Sequence, residues 1–261
     1  MCFAYDATPP DLPPTFAAQA AGAGEDLVLK SADGAQFRAY RARPQQPTGA
    51  GIVILPDVRG LFGFYTELAN RFASVGVDAV AIDYFGRTAG LGERDESFDF
   101  MSHVAQTKIE QLTADVGAAV QLLRSSDTPP RAIFTVGFCF GGAVSFLQAS
   151  YGHGLSGVIG FYGIPVGTLR WGKPAPIDRV RDYECPVLGL FGGADQAIPE
   201  SAIKQFDEAL AQANVQHEFV VYPGAPHSFF DRKQEEFSKE SADSWQRVLT
   251  FVHAHTPKGQ A

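Results

Sequence analysis

Apolar positions along the chain fall into runs of two kinds. At 26–30, DLVLK, and at 35–43, AQFRAYRAR, apolar and polar side chains alternate on either side of a SADG turn. That pattern predicts an antiparallel hairpin. From residue 51, in GIVILPD, the run is continuous, as in a strand buried on both faces. A helix-period stretch from Gly63 to about Ser74 precedes the strand DAVAIDY, and a longer helix is predicted from about Phe98 through IEQLTADVGAAVQLLRS. The strand AIFTVG follows, then a Gly-led helix beginning near Phe140 and the strand SGVIGFY. PVLGLFG, a helix around 200–213, HEFVVYP and a final helix around 234–255 complete the series.

Repeated strand–helix alternation predicts an α/β fold, with a mainly parallel sheet flanked by helices and right-handed crossovers. Residues 163–183 have no clear period and are expected to form a loop or cap over one end of the sheet. Residues 1–24, rich in Pro and Ala, read as an irregular surface arm, and 25–261 as one domain without repeats.

Composition narrows the class. A chain of 261 residues with 45% hydrophobic content can bury a large core, which excludes disorder and a disulfide-stapled mini-protein. The net charge of −8, with no basic block, argues against a nucleic-acid partner. Three cysteines, Cys2, Cys139 and Cys185, lack metal-site spacing, and their odd number suits a reducing compartment. Four prolines in the first fourteen residues and no basic n-region are unlike a signal peptide, and no apolar run approaches the ~20 residues of a spanning helix. The expectation is a soluble cytoplasmic protein, a monomer or small homo-oligomer, with no membrane partner.

The strongest chemical signal is Gly137-Phe138-Cys139-Phe140-Gly141, between a predicted strand and a predicted helix. It fits G-x-S-x-G with Cys for Ser, a turn sharp enough to expose a nucleophile at a helix start, where thiolate is favoured. The competing readings are a buried structural cysteine, or a dinucleotide fingerprint that lacks the G-x-G-x-x-G spacing. Downstream, GGAD ends one strand with Asp195 and PGAPHSFF follows the next with His227. Nucleophile, acid and histidine thus come in the order of an α/β-hydrolase, each at a strand end opening onto one sheet edge. A turn Asp and a structural His are the plain alternatives. His103, His217, His253 and His255 read as structural or solvated, Cys185 as a packing residue, and Cys2 as part of the arm. Oxyanion donors are expected from the N–H groups of Phe140 and, in the loop LPDVRG, Val58. Phe138, Phe140, Phe161, Tyr162 and Trp171 are candidates for an apolar wall, or simply core.

These blocks, with IVILPDVRGL, AIDYFGR, GFCFGG and GVIGFYG, resemble the dienelactone hydrolase (carboxymethylenebutenolidase) family from about Asp26 to Phe251. The resemblance implies an α/β-hydrolase fold and hydrolysis of a small ester or lactone through Cys139, His227 and Asp195, without cofactor or metal. It further implies an acidic partner for the resting thiol, at the position of Asp57, where the family has Glu. Arg87 would grip a substrate carboxylate, beside Phe138 and Tyr162. A second carboxylate-binding arginine is expected four residues past the histidine. That position is Asp231, with Arg232 next to it. Two other readings stay open: an esterase or thioesterase for a different substrate, and a non-enzymatic redox, binding or structural protein on this fold.

Overall fold

The computed structural model describes residues 4–16, 18, 22, 24–233 and 235–259. Cys2, part of the arm, and Gln234 at the expected start of the last helix lie outside the described residues. Eight strands form one sheet: β1 (Glu25–Lys30), β2 (Gln36–Ala42), β3 (Ala50–Leu55), β4 (Val77–Ile82), β5 (Ala132–Phe138), β6 (Gly157–Phe161), β7 (Val187–Gly192) and β8 (His217–Tyr222). Their order is β1-β2-β4-β3-β5-β6-β7-β8. β2 is antiparallel to both β1 and β4, and every pairing from β4 to β8 is parallel. The predicted hairpin and parallel sheet are both present.

The continuous apolar runs are the inner strands, because helices cover both faces of them. The helices are α1 (Gly63–Ser74), α2 (Gly86–Ala89), α3 (Phe100–Val104), α4 (Ile109–Arg124), α5 (Phe140–Gln148), α6 (Glu200–Gln212) and α7 (Ser238–Ala254). Along β3, Ile52 and Ile54 join the cluster containing Phe64 and Leu68 of α1 and Trp245 and Val248 of α7. Val53 and Leu55 turn the other way, to Leu112 and Val116 of α4 and Val144 of α5. Burying each such side chain stabilises the fold by about 1.5–3 kcal/mol before the loss of conformational entropy is counted.

Two expectations are corrected. The long helix predicted from about Phe98 is two helices. The Thr107 hydroxyl donates to the Val104 carbonyl (2.8 Å), and Lys108 takes an extended backbone (φ −124°, ψ 136°) from which α4 starts afresh. The last helix begins at Ser238, after a 3-10 turn over Glu235–Phe237. In the aperiodic stretch, Pro176–Asp182 forms a 3-10 helix whose Asp178 carboxylate accepts the Ala175 N–H (2.8 Å).

The described part of the arm is anchored rather than loose. Ala7, Pro9, Pro10 and Pro13 are buried, and Tyr5 packs on Phe62 (5.1 Å) and under the Arg59 guanidinium (4.7 Å). Among the described residues no helix is long and apolar enough to cross a membrane.

The topology creates one crevice. β3 and β5 are neighbours, yet the chain leaves β3 towards β4 and leaves β5 towards β6, so the two exiting loops diverge. Ligands of open α/β sheets bind where strand order reverses in this way, outside the carboxyl ends of the strands.

Candidate active site

Cys139 stands at that crevice, between β5 and α5, in the left-handed region at φ 55°. A non-glycine residue there is strained and persists only when its surroundings hold it. Here they do: its N–H donates to Phe161 O (3.0 Å), and its carbonyl accepts from the Gly142 (3.1 Å) and Ala143 (3.3 Å) N–H groups. The glycines around it make room. A Cβ on Gly141 would lie 2.6 Å from the Leu55 carbonyl carbon and closer still to the Leu55 and Pro56 oxygens. A Cβ on Gly137 would strike the Gly141 carbonyl across the turn. The half-buried Cys139 therefore stands at the N-cap position of a nine-residue helix, whose positive end favours an anion.

Asp195 and His227 reach the same crevice from the ends of β7 and β8. Main-chain bonds lace their loops together, Gly193 N–H to Tyr222 O (2.7 Å) and Ala194 N–H to Ala225 O (2.9 Å). His227 Nδ1 lies 2.6 Å from Asp195 Oδ2, and Asp195 Oδ1 accepts the Ala197 N–H (2.8 Å). The Asp195 side chain is 1% exposed and that of His227 13%, so this contact is shielded from water. The buried Tyr162 ring lies 4.9 Å from the imidazole and backs it.

Cys139, Asp195 and His227 together line a cavity of about 760 Å³, with Val58, Phe140, Ala143, Ile164, Thr168, Leu169, Arg170 and Pro226 also in its wall. Among the described residues, neither the Val58 nor the Phe140 backbone N–H has a hydrogen-bond acceptor within the protein. Two open donors thus border the cavity beside the thiol. Trp171 packs edge-on against Phe140 (5.2 Å) and donates its Nε1–H to Pro174 O (3.0 Å).

Five of the expected site residues are not brought to this cavity. Asp57 is buried and committed elsewhere: its carboxylate accepts from Arg59 Nε (3.0 Å), Arg59 Nη2 (2.6 Å) and the Tyr65 hydroxyl (3.0 Å). The Asp side chain, shorter than Glu, folds back on its own loop. Arg87 is held by Asp33 (2.9 Å) and the buried Asp115 (2.5 Å). Burial works against the Arg87 charge, but hydrogen bonds to Asp115 and Asp33 raise its pKa overall. Phe138 points into the core, stacked on Phe161 at 4.7 Å. Tyr162 is fully buried against the His227 ring and is not part of the cavity wall. Arg232 sits on the arm, bonded to Asp11 (3.1 Å), while Asp231 is buried and accepts the Lys233 N–H (2.9 Å).

Several cavity residues were missed in the sequence, and Arg170 is the charged one among them. Arg170 is exposed, lines the wall, and among the described residues has no carboxylate partner. It lies in the aperiodic segment, where nothing in the pattern distinguishes it from any solvated arginine. Among the described residues no cluster of three His, Cys, Asp or Glu side chains could hold a metal ion.

A sharp strand-to-helix turn at the reversal of strand order, with an aspartate–histidine pair after the last two strands, is the arrangement of an α/β-hydrolase. The family model described as "Dienelactone hydrolase family" matches residues 37–256. The chain belongs to that family and is a hydrolase of carboxylic esters. It is 31% identical over 263 residues to a Methylorubrum extorquens protein named "Putative carboxymethylenebutenolidase", covering 97% of this chain and 89% of that one. A Salmonella typhimurium protein of the same name is 30% identical over 223 residues, 84% and 83% of the two chains. The crystal structure titled "Putative Dienelactone Hydrolase" from Klebsiella pneumoniae superposes with a TM-score of 0.79 at 28% identity, over 90% of this chain and 99% of that one.

Proposed function

We propose that the chain hydrolyses a small carboxylic ester or lactone through a thioester on Cys139. The observation that carries this reading is the 2.6 Å contact between His227 Nδ1 and Asp195, on the wall of the cavity that holds Cys139. Asp195 fixes the tautomer with a proton on Nδ1, which leaves Nε2 to take and return the proton of the reacting groups. His227 Nε2 takes the Cys139 thiol proton, the thiolate attacks the carbonyl carbon, and the oxyanion that forms accepts from the Val58 and Phe140 N–H groups. Collapse expels the alkoxide, which takes a proton from His227. In a lactone that alcohol stays attached to the acyl group. Water then gives a proton to His227 and attacks the thioester, releasing the acid and the sulfur.

Arg170 is the cavity residue suited to a substrate carboxylate, since a guanidinium fork matches that group bidentately. The placements of Arg87, Arg232 and Asp57 favour an ester or lactone recognised differently from dienelactone, and support the related-esterase reading over the narrower one. The test is hydrolysis of an ester and lactone panel by wild type, Cys139→Ala and His227→Ala, with mass spectrometry of quenched wild type. Turnover by wild type alone, with an acyl adduct on Cys139, supports the mechanism. Equal turnover by Cys139→Ala refutes it.

A further inference from the structure

The sheet ends at β1, and among the described residues no strand pairs with its outer edge. β1 alternates half-buried and exposed positions: Leu27 and Leu29 pack towards α4, while Asp26, Val28 and Lys30 share the solvent-facing side. Val28, at 52% exposure, is the most exposed large apolar side chain among the described residues. Such an edge presents N–H and C=O groups as a template for another strand. At the opposite edge, β8 side chains are tied to α7, with Glu218 bonded to Arg247 (2.7 Å) and the Tyr222 hydroxyl to Asp243 (2.7 Å).

A closed dimer that continues the sheet from β1 to β1 has its two-fold axis perpendicular to the sheet. That axis keeps every side chain on its own face, so the pairing must centre on a residue. Centred on Val28, it sets Asp26 opposite Lys30 of the second copy, Val28 opposite Val28, and Leu27 opposite Leu29, with each unlike pair made twice. Centred on Leu27, it would set Asp26 against Val28 and Glu25 against Leu29. Centred on Leu29, it would set Val28 against Lys30. One register alone is complementary in both charge and apolarity. Beside this edge runs a groove between β1 and α4, where Leu29 and Lys30 of β1 face the small residues Ala114, Gly117 and Ala118.

We propose that the chain dimerises through antiparallel addition of β1 to β1 in the Val28-centred register. This is independent of the hydrolytic reading, because the Cys139 cavity opens at a different edge of the sheet. Sedimentation of the full chain tests it. Wild type should dimerise within a range up to ~100 µM, and Lys30→Glu, which sets two carboxylate pairs face to face, should weaken the dimer at least about tenfold. The double variant Asp26→Lys, Lys30→Glu swaps both charges and should recover most of the wild-type affinity. Val28→Lys, which puts like charges at the centre, should leave only monomer. Circular dichroism should be unchanged in all of them. A wild type that stays monomeric, a dimer indifferent to Lys30→Glu, or a folded double variant no tighter than Lys30→Glu would each overturn the proposal.

Discussion

Replacing Gly141 by Ala tests the link between the elbow and the sheet. The new methyl would lie 2.6 Å from the Leu55 carbonyl carbon, and the oxygens of Leu55 and Pro56 would be closer still. Relaxed carbon contacts lie at about 3.5–4.0 Å. The helix start and the end of β3 must therefore separate by about 1 Å, and no side-chain rotation can absorb the clash because every opposing atom is main chain. Overpacking typically costs 1–3 kcal/mol, and this rigid case belongs at about 3 kcal/mol or above. For a chain of this length that lowers the melting temperature by roughly 6–10 °C. Activity should fall by about 100-fold as well, since Cys139 and the Val58 loop lie on the two surfaces forced apart. Gly63→Ala is the control, since a Cβ there meets nothing within 4 Å at the first residue of α1. It should shift stability by less than about 1 kcal/mol, in the stabilising direction. Thermal melts and ester hydrolysis read both quantities. A Gly141→Ala protein with wild-type melting and turnover would refute the reasoning.

Asp195→Asn should lower kcat by about 10³–10⁴-fold with little change in KM, because Asn can present the wrong hydrogen-bonding partner to Nδ1; steady-state kinetics decide it. Arg170→Ala should raise KM for carboxylate-bearing esters and leave neutral esters unchanged, and equal effects on both would remove Arg170 from recognition. Arg87→Ala should leave KM alone yet cost about 3 kcal/mol in urea unfolding, by stranding buried Asp115. Burial already pushes the Asp115 carboxyl up, against its bonds to Arg87 and Ser31. With Arg87 gone the folded state holds its carboxyl proton more tightly than the unfolded chain does, so the deficit should shrink as pH falls. Burial pushes the Cys185 thiol up to about 12, so iodoacetamide near neutral pH should spare Cys185 and modify Cys139, as peptide mapping would show.

What the sequence made legible follows from how local each signal is. Strand and helix periods depend on burial on one or two faces, and so the eight strands and the elbow could be read directly. Asp195 and His227 were readable because a parallel sheet delivers every strand end to one edge. Side-chain partners at a distance were not readable. Nothing near Arg87 in sequence reveals that Asp33 and Asp115 converge on it, and nothing near Asp57 shows that Arg59 turns back and claims its carboxylate. The split between α3 and α4 falls at Lys108, whose backbone is extended although the apolar period continues on both sides of it. Arg170 was hidden for the opposite reason, since an aperiodic segment carries no pattern from which a position can be inferred.

The lacing of the Asp195 and His227 loops has an evolutionary consequence. Their spacing is set by main-chain bonds from Gly193 and Ala194 to Tyr222 and Ala225, in a join so close that a Cβ on Gly193 would lie 3.0 Å from the Tyr222 oxygen. Ile164, Thr168, Leu169 and Arg170 instead come from a separate segment, pinned within itself by the short Leu169–Gly172 bridge. Mutation can redraw that wall without moving the atoms that would carry out the chemistry. A lineage built this way can change what it accepts while keeping how it reacts, and directed evolution of new substrate preference should concentrate its accepted changes between residues 164 and 170.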